Sequence, residues 1–187
     1  MQRLFVYIDE TGQDTLGELF LVSVIITQND RDNIRKRLEE IECVTKKGRR
    51  KWLKTREKQK VAYIRRILKV SGLKGSIYYA EYHQTTDYLP CTVLTTARAI
   101  TLYAKEKYKA SVFVDGLPKT QTKWFGAELR HLRVRTEKVR GVRKESADVF
   151  MRLADAIAGF VRDAIFGNRS AADLLEKAKV GGFIREL

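Results

Sequence analysis

The chain of 187 residues carries 37 Lys and Arg against 23 Asp and Glu, a net charge of +14, with 44% apolar and 10% aromatic residues. That length suits one domain with a real core, and the apolar share excludes a disordered chain. No run reaches the ~18 consecutive apolar residues of a membrane span, the opening Met1-Gln2-Arg3-Leu4 lacks a signal-peptide layout, and Cys43 and Cys91 are too few for a disulfide framework or zinc cluster.

Residues 3–9 are apolar and aromatic, as a buried strand requires, and a polar turn, Glu10-Thr11-Gly12-Gln13-Asp14, leads to a second apolar run at 19–26. Strands joined so closely must pair antiparallel, since a parallel pair needs a crossover. Asn29 or Asp30 is placed to cap a helix carrying Ile34, Leu38 and Ile41. A basic loop at 46–54 follows, then a helix with Val61, Ile64, Ile67 and Leu68 on one face. Gly72 and Gly75 bracket a stop before a strand at 76–82. Val93, Leu94, Ala97, Ile100 and Ala104 predict a long helical segment over 87–108. The almost wholly apolar run 110–115 is the pattern of a strand in a sheet's centre. A short helix at 124–132, a strand at 134–139, a long helix at 146–166 and a short helix at 171–178 complete the order. A hairpin followed by alternating helices and strands makes one mixed α/β domain over 1–187.

The charge is clustered. Nine Lys and Arg against one acid, Glu57, fall between 46 and 60, and seven against one, Glu137, between 130 and 144. A field of that sign gathers polyanions, and two basic segments suit the two sides of a nucleic-acid groove. The expected phosphate contacts are Lys46, Lys47, Arg49, Arg50, Lys51 and Lys54 in the first segment and Arg140, Arg143 and Lys144 in the second. Trp52 and Tyr79 are possible stacking surfaces or core residues. The lone cysteines read as ordinary buried or inert thiols, and a reducing cytoplasm fits them.

Asp9 and Asp115 each end an apolar run just before a glycine-containing turn. Ligand sites in open α/β sheets lie beyond the carboxyl ends of strands. If these two strands are parallel neighbours, ~4.8 Å apart, their carboxylates stand together and call for a hard cation such as Mg²⁺ or Mn²⁺. Each alone also suits a turn. Asp155 sits mid-helix among alanines, an unfavourable helix position with small neighbours that allow close approach. Asp148, seven residues earlier, is open between a ligand and a helix-start charge. Arg152 lies between them. Glu10 and Glu81 are alternatives for a fourth ligand, and Glu10 points away from Asp9 if its strand continues. His83 and His131 are isolated and take no role.

Tyr7-Ile8-Asp9-Glu10-Thr11-Gly12 resembles the opening Y-I-D-E-S-G of the domain-of-unknown-function 3800 family, and Met151-Arg152-Leu153-Ala154-Asp155-Ala156-Ile157-Ala158-Gly159 resembles its closing Q-L-A-D-x-I-A-G helix. The strand ending at Asp115 falls where that family has its middle acid. The resemblance spans about residues 3 to 167 and implies an RNase H-like mixed sheet flanked by helices. By analogy with nucleases of that fold, it implies carboxylates binding two metals, with Asp9, Glu10, Asp115 and Asp155 as the functional positions. Thr11 stands for the usual Ser, and Arg152 for the usual Gln, a cation able to neutralise carboxylates in place of a second metal.

The expected function is metal-dependent hydrolysis of DNA or RNA phosphodiesters. The rival class is a non-catalytic nucleic-acid-binding or scaffolding module of the same fold, and a defence or mobile-element role fits either. A PIN-like nuclease is disfavoured because its first strand leads into a helix. An aspartic protease is disfavoured by the intervening Glu10 and the lack of a second copy, and a P-loop NTPase by the lack of a Gly-rich Lys-Ser/Thr loop.

Overall fold

Alternation along the first strand sorts its side chains into two layers. In the computed structural model, which describes residues 1–143 and 148–187, that strand is β1 (Gln2–Thr11). Leu4, Val6 and Ile8 are buried on one face of it, and Tyr7 and Asp9 on the other. The chain continues through β2 (Phe20–Thr27), α1 (Arg31–Val44), α2 (Glu57–Ile67), β3 (Ile77–Tyr82), α3 (Tyr88–Tyr103), β4 (Tyr108–Asp115) and α4 (Lys119–His131). It ends with β5 (Thr136–Val142), α5 (Val149–Ile165), α6 (Arg169–Val180) and β6 (Ile184–Glu186).

The strands form a mixed sheet in the order β5-β4-β1-β2-β3-β6. β1 pairs antiparallel with β2, as the sequence predicts, and parallel with β4, the arrangement on which the pairing of Asp9 with Asp115 depends; β5 is parallel with β4. Helices α1, α2, α5 and α6 pack on the Tyr7 face, where Tyr7 stacks on Phe113 at 5.2 Å and on Phe150 at 4.8 Å between ring centroids. Helices α3 and α4 cover the other face against Val6, Val22, Val112 and their neighbours. Ser23 ties the layers near the site, its hydroxyl donating to the Ala154 carbonyl of α5 at 2.8 Å.

Several boundaries differ from the sequence reading. The first hairpin connection is shifted along the chain, because β1 runs on to Thr11, a 3-10 turn (Gln13–Thr15) follows and β2 begins at Phe20. Gly12 makes that exit possible: its φ is 103°, and a Cβ there would overlap the Leu19 carbonyl. Helix α3 stops at Tyr103 because Tyr108 already belongs to β4. Helix α4 begins earlier than expected, directly after Pro118. Strand β5 runs past Val139 to Val142. The expected helix start at Ser146 lies outside the described residues. The short β6, parallel to β3, has no counterpart in the sequence reading. Asp30 occupies the N-cap of α1 without a side-chain capping bond. Cys43 and Cys91 are unbonded, and Cys43 is exposed rather than buried. Among the described residues no helix is long and apolar enough to cross a membrane.

Candidate active site

The register Ile8↔Val114 between β1 and β4 puts the next residues, Asp9 and Asp115, side by side, Asp115 at the end of β4 and Asp9 two residues before the end of β1. Helix α5 crosses this edge. Within its otherwise buried central turns, Asp155 and Gly159 are the partly exposed positions, and Arg162, Asp163 and Phe166 continue the same stripe. All of these line one cleft of about 970 Å³, together with Glu10, Lys51 and Gln121. The aspartates also line a smaller adjoining recess with Arg49 and Lys51. Strand ends and helix stripe thus meet at one place.

Asp9 is 9% exposed. Burial raises its pKa well above the ordinary carboxylate range, and the charges of Asp115 and Asp155 push the same way. A hydrogen bond from its own neighbour, Glu10 N–H, at 2.8 Å and the charge of Lys51 oppose them. Glu10 is also raised, by burial above all, with Asp115 adding to it. Because β1 continues to Thr11, the Glu10 side chain leaves on the α3 face. There its carboxylate accepts from Thr92 at 2.7 Å and from Gln13 at 2.7 Å. It lines the same cleft as Asp9, Asp115 and Asp155, within reach of the Asp115 charge.

Asp155 is held from the basic loop. Its Oδ2 accepts the Trp52 backbone N–H at 2.8 Å, and the Trp52 indole N–H donates to Asp163 at 2.8 Å. Lys60 completes this knot, 2.8 Å from Asp163 and 4.9 Å from the indole centroid. Gly159 gives the indole its place: a Cβ there would overlap Trp52 Cδ1 and lie 2.5 Å from Cγ. The glycine of the closing motif is therefore a notch for Trp52. Arg162 secures the opposite rim, donating to Thr11 at 3.1 Å and Asp14 at 2.8 Å.

Asp148 is no ligand of this site. It is the N-cap of α5, accepting from Phe150 N–H at 3.0 Å, and it forms a two-pronged pair with Arg35 at 2.8 Å. Glu81 is exposed on β3, separated from β1 by β2, and does not line the cleft. Arg152 lines the recess beside the three aspartates, but its Nε and one Nη donate to Glu42 of α1 at 2.8 and 2.7 Å, so its strongest described pairing is with α1. Lys47 is fully buried, 3.8 Å from Glu42, and donates to the Arg50 carbonyl, so it cannot contact a phosphate. Arg50 is exposed and lines the recess, with its guanidinium donating to the carbonyls of Lys46 and Lys47. Lys46, Arg49, Lys51, Lys54, Arg140 and Arg143 are exposed, while Lys144 lies outside the described residues. Trp52 and Tyr79 are core residues, Tyr79 bonding Glu186 at 2.7 Å. Sequence reasoning missed the roles of Asp163, Arg162 and Thr92, whose contacts join elements far apart in the chain.

The oxygen donors suit a hard divalent ion, and the repelling, desolvated Asp9 is the kind of carboxylate such an ion relieves. Among the described residues no three acidic, His or Cys side chains close into a ready-made metal cage. The site fits such an ion in donor chemistry while remaining open in geometry.

Comparison with solved structures settles the fold. The ribonuclease H2 of Pyrococcus horikoshii OT3 matches over 93% of this chain and 76% of its own, with a TM-score of 0.58 and 17% identity. The RNase HII of Archaeoglobus fulgidus, solved in complex with PCNA, matches over 97% and 91%, with 0.53 and 15%. The fold is RNase H-like. At such identities the likeness concerns architecture alone. No family model matches the sequence, and no curated protein does. Within this RNase H-like frame, the aspartates occupy the carboxyl edge of the central strands and the helix that crosses it.

Proposed function

We propose that this cleft is the active site of a nuclease that hydrolyses phosphodiester bonds of DNA or RNA, with Asp9, Asp115 and Asp155 holding Mg²⁺ or Mn²⁺. The observation that carries the reading is the buried Asp9, whose carboxyl is forced upward beside Asp115 and Asp155 on the wall of one cleft. The RNase H-like fold and the charge of +14 support it. On this reading the chain belongs with the domain-of-unknown-function 3800 proteins that its two motifs resemble.

A bound divalent ion would supply Lewis-acid activation of water and charge stabilisation. Asp9 and Asp115 would hold it from the strand ends, and Asp155 from the helix. The Trp52 N–H fixes one oxygen of Asp155, which orients the other. In the reaction a water oxygen forms the new P–O bond and the ester P–O bond breaks. Its electron pair leaves on the alcohol oxygen, which takes up a proton by way of solvent. Arg49, Lys54 and Arg140 are exposed, and on this reading they would hold flanking phosphates.

Purified protein given Mn²⁺ or Mg²⁺ is expected to degrade DNA or RNA, and Asp9→Asn and Asp115→Asn to abolish the activity. Cleavage that survives both substitutions sinks the proposal. Salt-sensitive, metal-independent binding without cleavage would establish the non-catalytic module instead.

A further inference from the structure

The loop 46–55 is pinned at two points. Lys47 is sunk against Glu42, with its ammonium 5.0 Å from the Tyr63 ring centroid, and Arg152 of α5 grips the same Glu42. Trp52 is seated in the Gly159 notch and bonded to Asp155 and Asp163. Between these anchors lies Lys51. Its neighbours Lys47 and Arg50 are committed to carbonyls, and Lys60 to Asp163. Among the described residues no hydrogen bond or ion pair holds the Lys51 ammonium. Lys51 is exposed, lines both the cleft and its recess beside Asp9, Asp115 and Asp155, and acts by its charge on Asp9.

We propose that Lys51 is a catalytic residue of this site, donating from its ammonium to a non-bridging oxygen of the scissile phosphate and supplying the positive charge that a second metal ion supplies in two-ion nucleases. This rests on the nuclease reading of the cleft. Arg152 lines the same recess but directs two of its N–H groups to Glu42, whereas Lys51 lines both recess and cleft from another element. With its backbone anchored on both sides, Lys51 has only its side chain to order when it meets developing phosphate charge. Lys51 keeps its proton throughout, so the balance of the hydrolysis is unchanged. The site then works with one divalent ion per chain.

The test compares Lys51→Met and Lys51→Arg with wild type in two measurements. One is Mn²⁺ binding by calorimetry without nucleic acid; the other is cleavage of an oligonucleotide at saturating Mn²⁺. Lys51→Met is expected to bind Mn²⁺ several-fold more tightly, because a repelling charge has left the carboxylates, while kcat falls about 100-fold. Lys51→Arg is expected to keep the wild-type Mn²⁺ affinity and much of kcat, and wild type to bind one ion per chain. Unchanged or weaker Mn²⁺ binding by Lys51→Met, undiminished kcat, or two ions per wild-type chain would each overturn the proposal. If wild type cleaves but Lys51→Met cleaves equally, only the role of Lys51 fails. If wild type neither binds Mn²⁺ nor cleaves, the nuclease reading fails and this inference falls with it.

Discussion

Replacing Gly159 by alanine inverts a familiar rule. In an ordinary helix interior, Gly→Ala stabilises by about 1 kcal/mol through backbone entropy and propensity. At Gly159 the new Cβ would lie 2.5 Å from Trp52 Cγ. Because Cδ1 lies closer still, the indole must retreat by more than ~1 Å to regain a contact distance of ~3.5 Å. Overpacking of that kind costs about 1–3 kcal/mol. The same retreat strains the bonds from Trp52 to Asp155 and Asp163, both 2.8 Å in the native arrangement. Hydrogen bonds to charged groups contribute about 1.5–3 kcal/mol each. After subtracting the propensity gain, a net loss of about 2–4 kcal/mol is expected. For a domain of this size that lowers Tm by roughly 5–15 °C. Thermal unfolding followed by circular dichroism measures it directly. A double-mutant cycle sharpens the test: in a Trp52→Ala background the obstacle is gone, and Gly159→Ala should become neutral or stabilising. A Tm for Gly159→Ala at or above wild type, or the same loss in both backgrounds, would refute the notch.

Asp9 governs the pH response. Its folded pKa lies above its unfolded value, so its contribution to stability is full below the unfolded value, near 3.8, and is lost as pH rises through the folded value. Asp9→Asn should therefore raise Tm at neutral pH in metal-free buffer, flatten the pH dependence above the ordinary carboxylate range, and remove stabilisation by added Mn²⁺. A lower Tm for Asp9→Asn in chelator would contradict the sign. Asp148→Ala should cost about 1–2 kcal/mol in urea unfolding, through the lost cap and the Arg35 pair. It should leave the Mn²⁺-induced shift in Tm unchanged, whereas loss of that shift would return Asp148 to the metal site.

What the sequence made legible were features set by local pattern. Asp9 and Asp115 stand out because strands buried on both faces are apolar until they end, and a carboxylate at such an end is conspicuous. Asp155 stands out because nothing local favours an Asp among alanines within a helix. Contacts between distant segments were hidden. Lys47 sits in a run of cations that reads as surface, yet Glu42 draws it inside. Arg152 lies one turn from Asp155 in sequence, but its side chain turns to α1. Glu81 obeys the strand-end rule and still fails, because β2 lies between its strand and β1. The three-residue β6 depends wholly on its neighbour β3 and carries too little periodicity to notice.

The outer strand β5 has a consequence for how copies of this protein meet. Among the described residues its backbone edge is unpartnered within the sheet, and Lys138 and Arg140 on it are exposed. Exposed strand edges are templates for sticky association between identical chains. Here two such edges would bring rows of like charge face to face, so the strand guards the protein against its own kind. The opposite margin, β6, is only three residues long and offers little to add to. Both flanks of the sheet thus resist self-stacking.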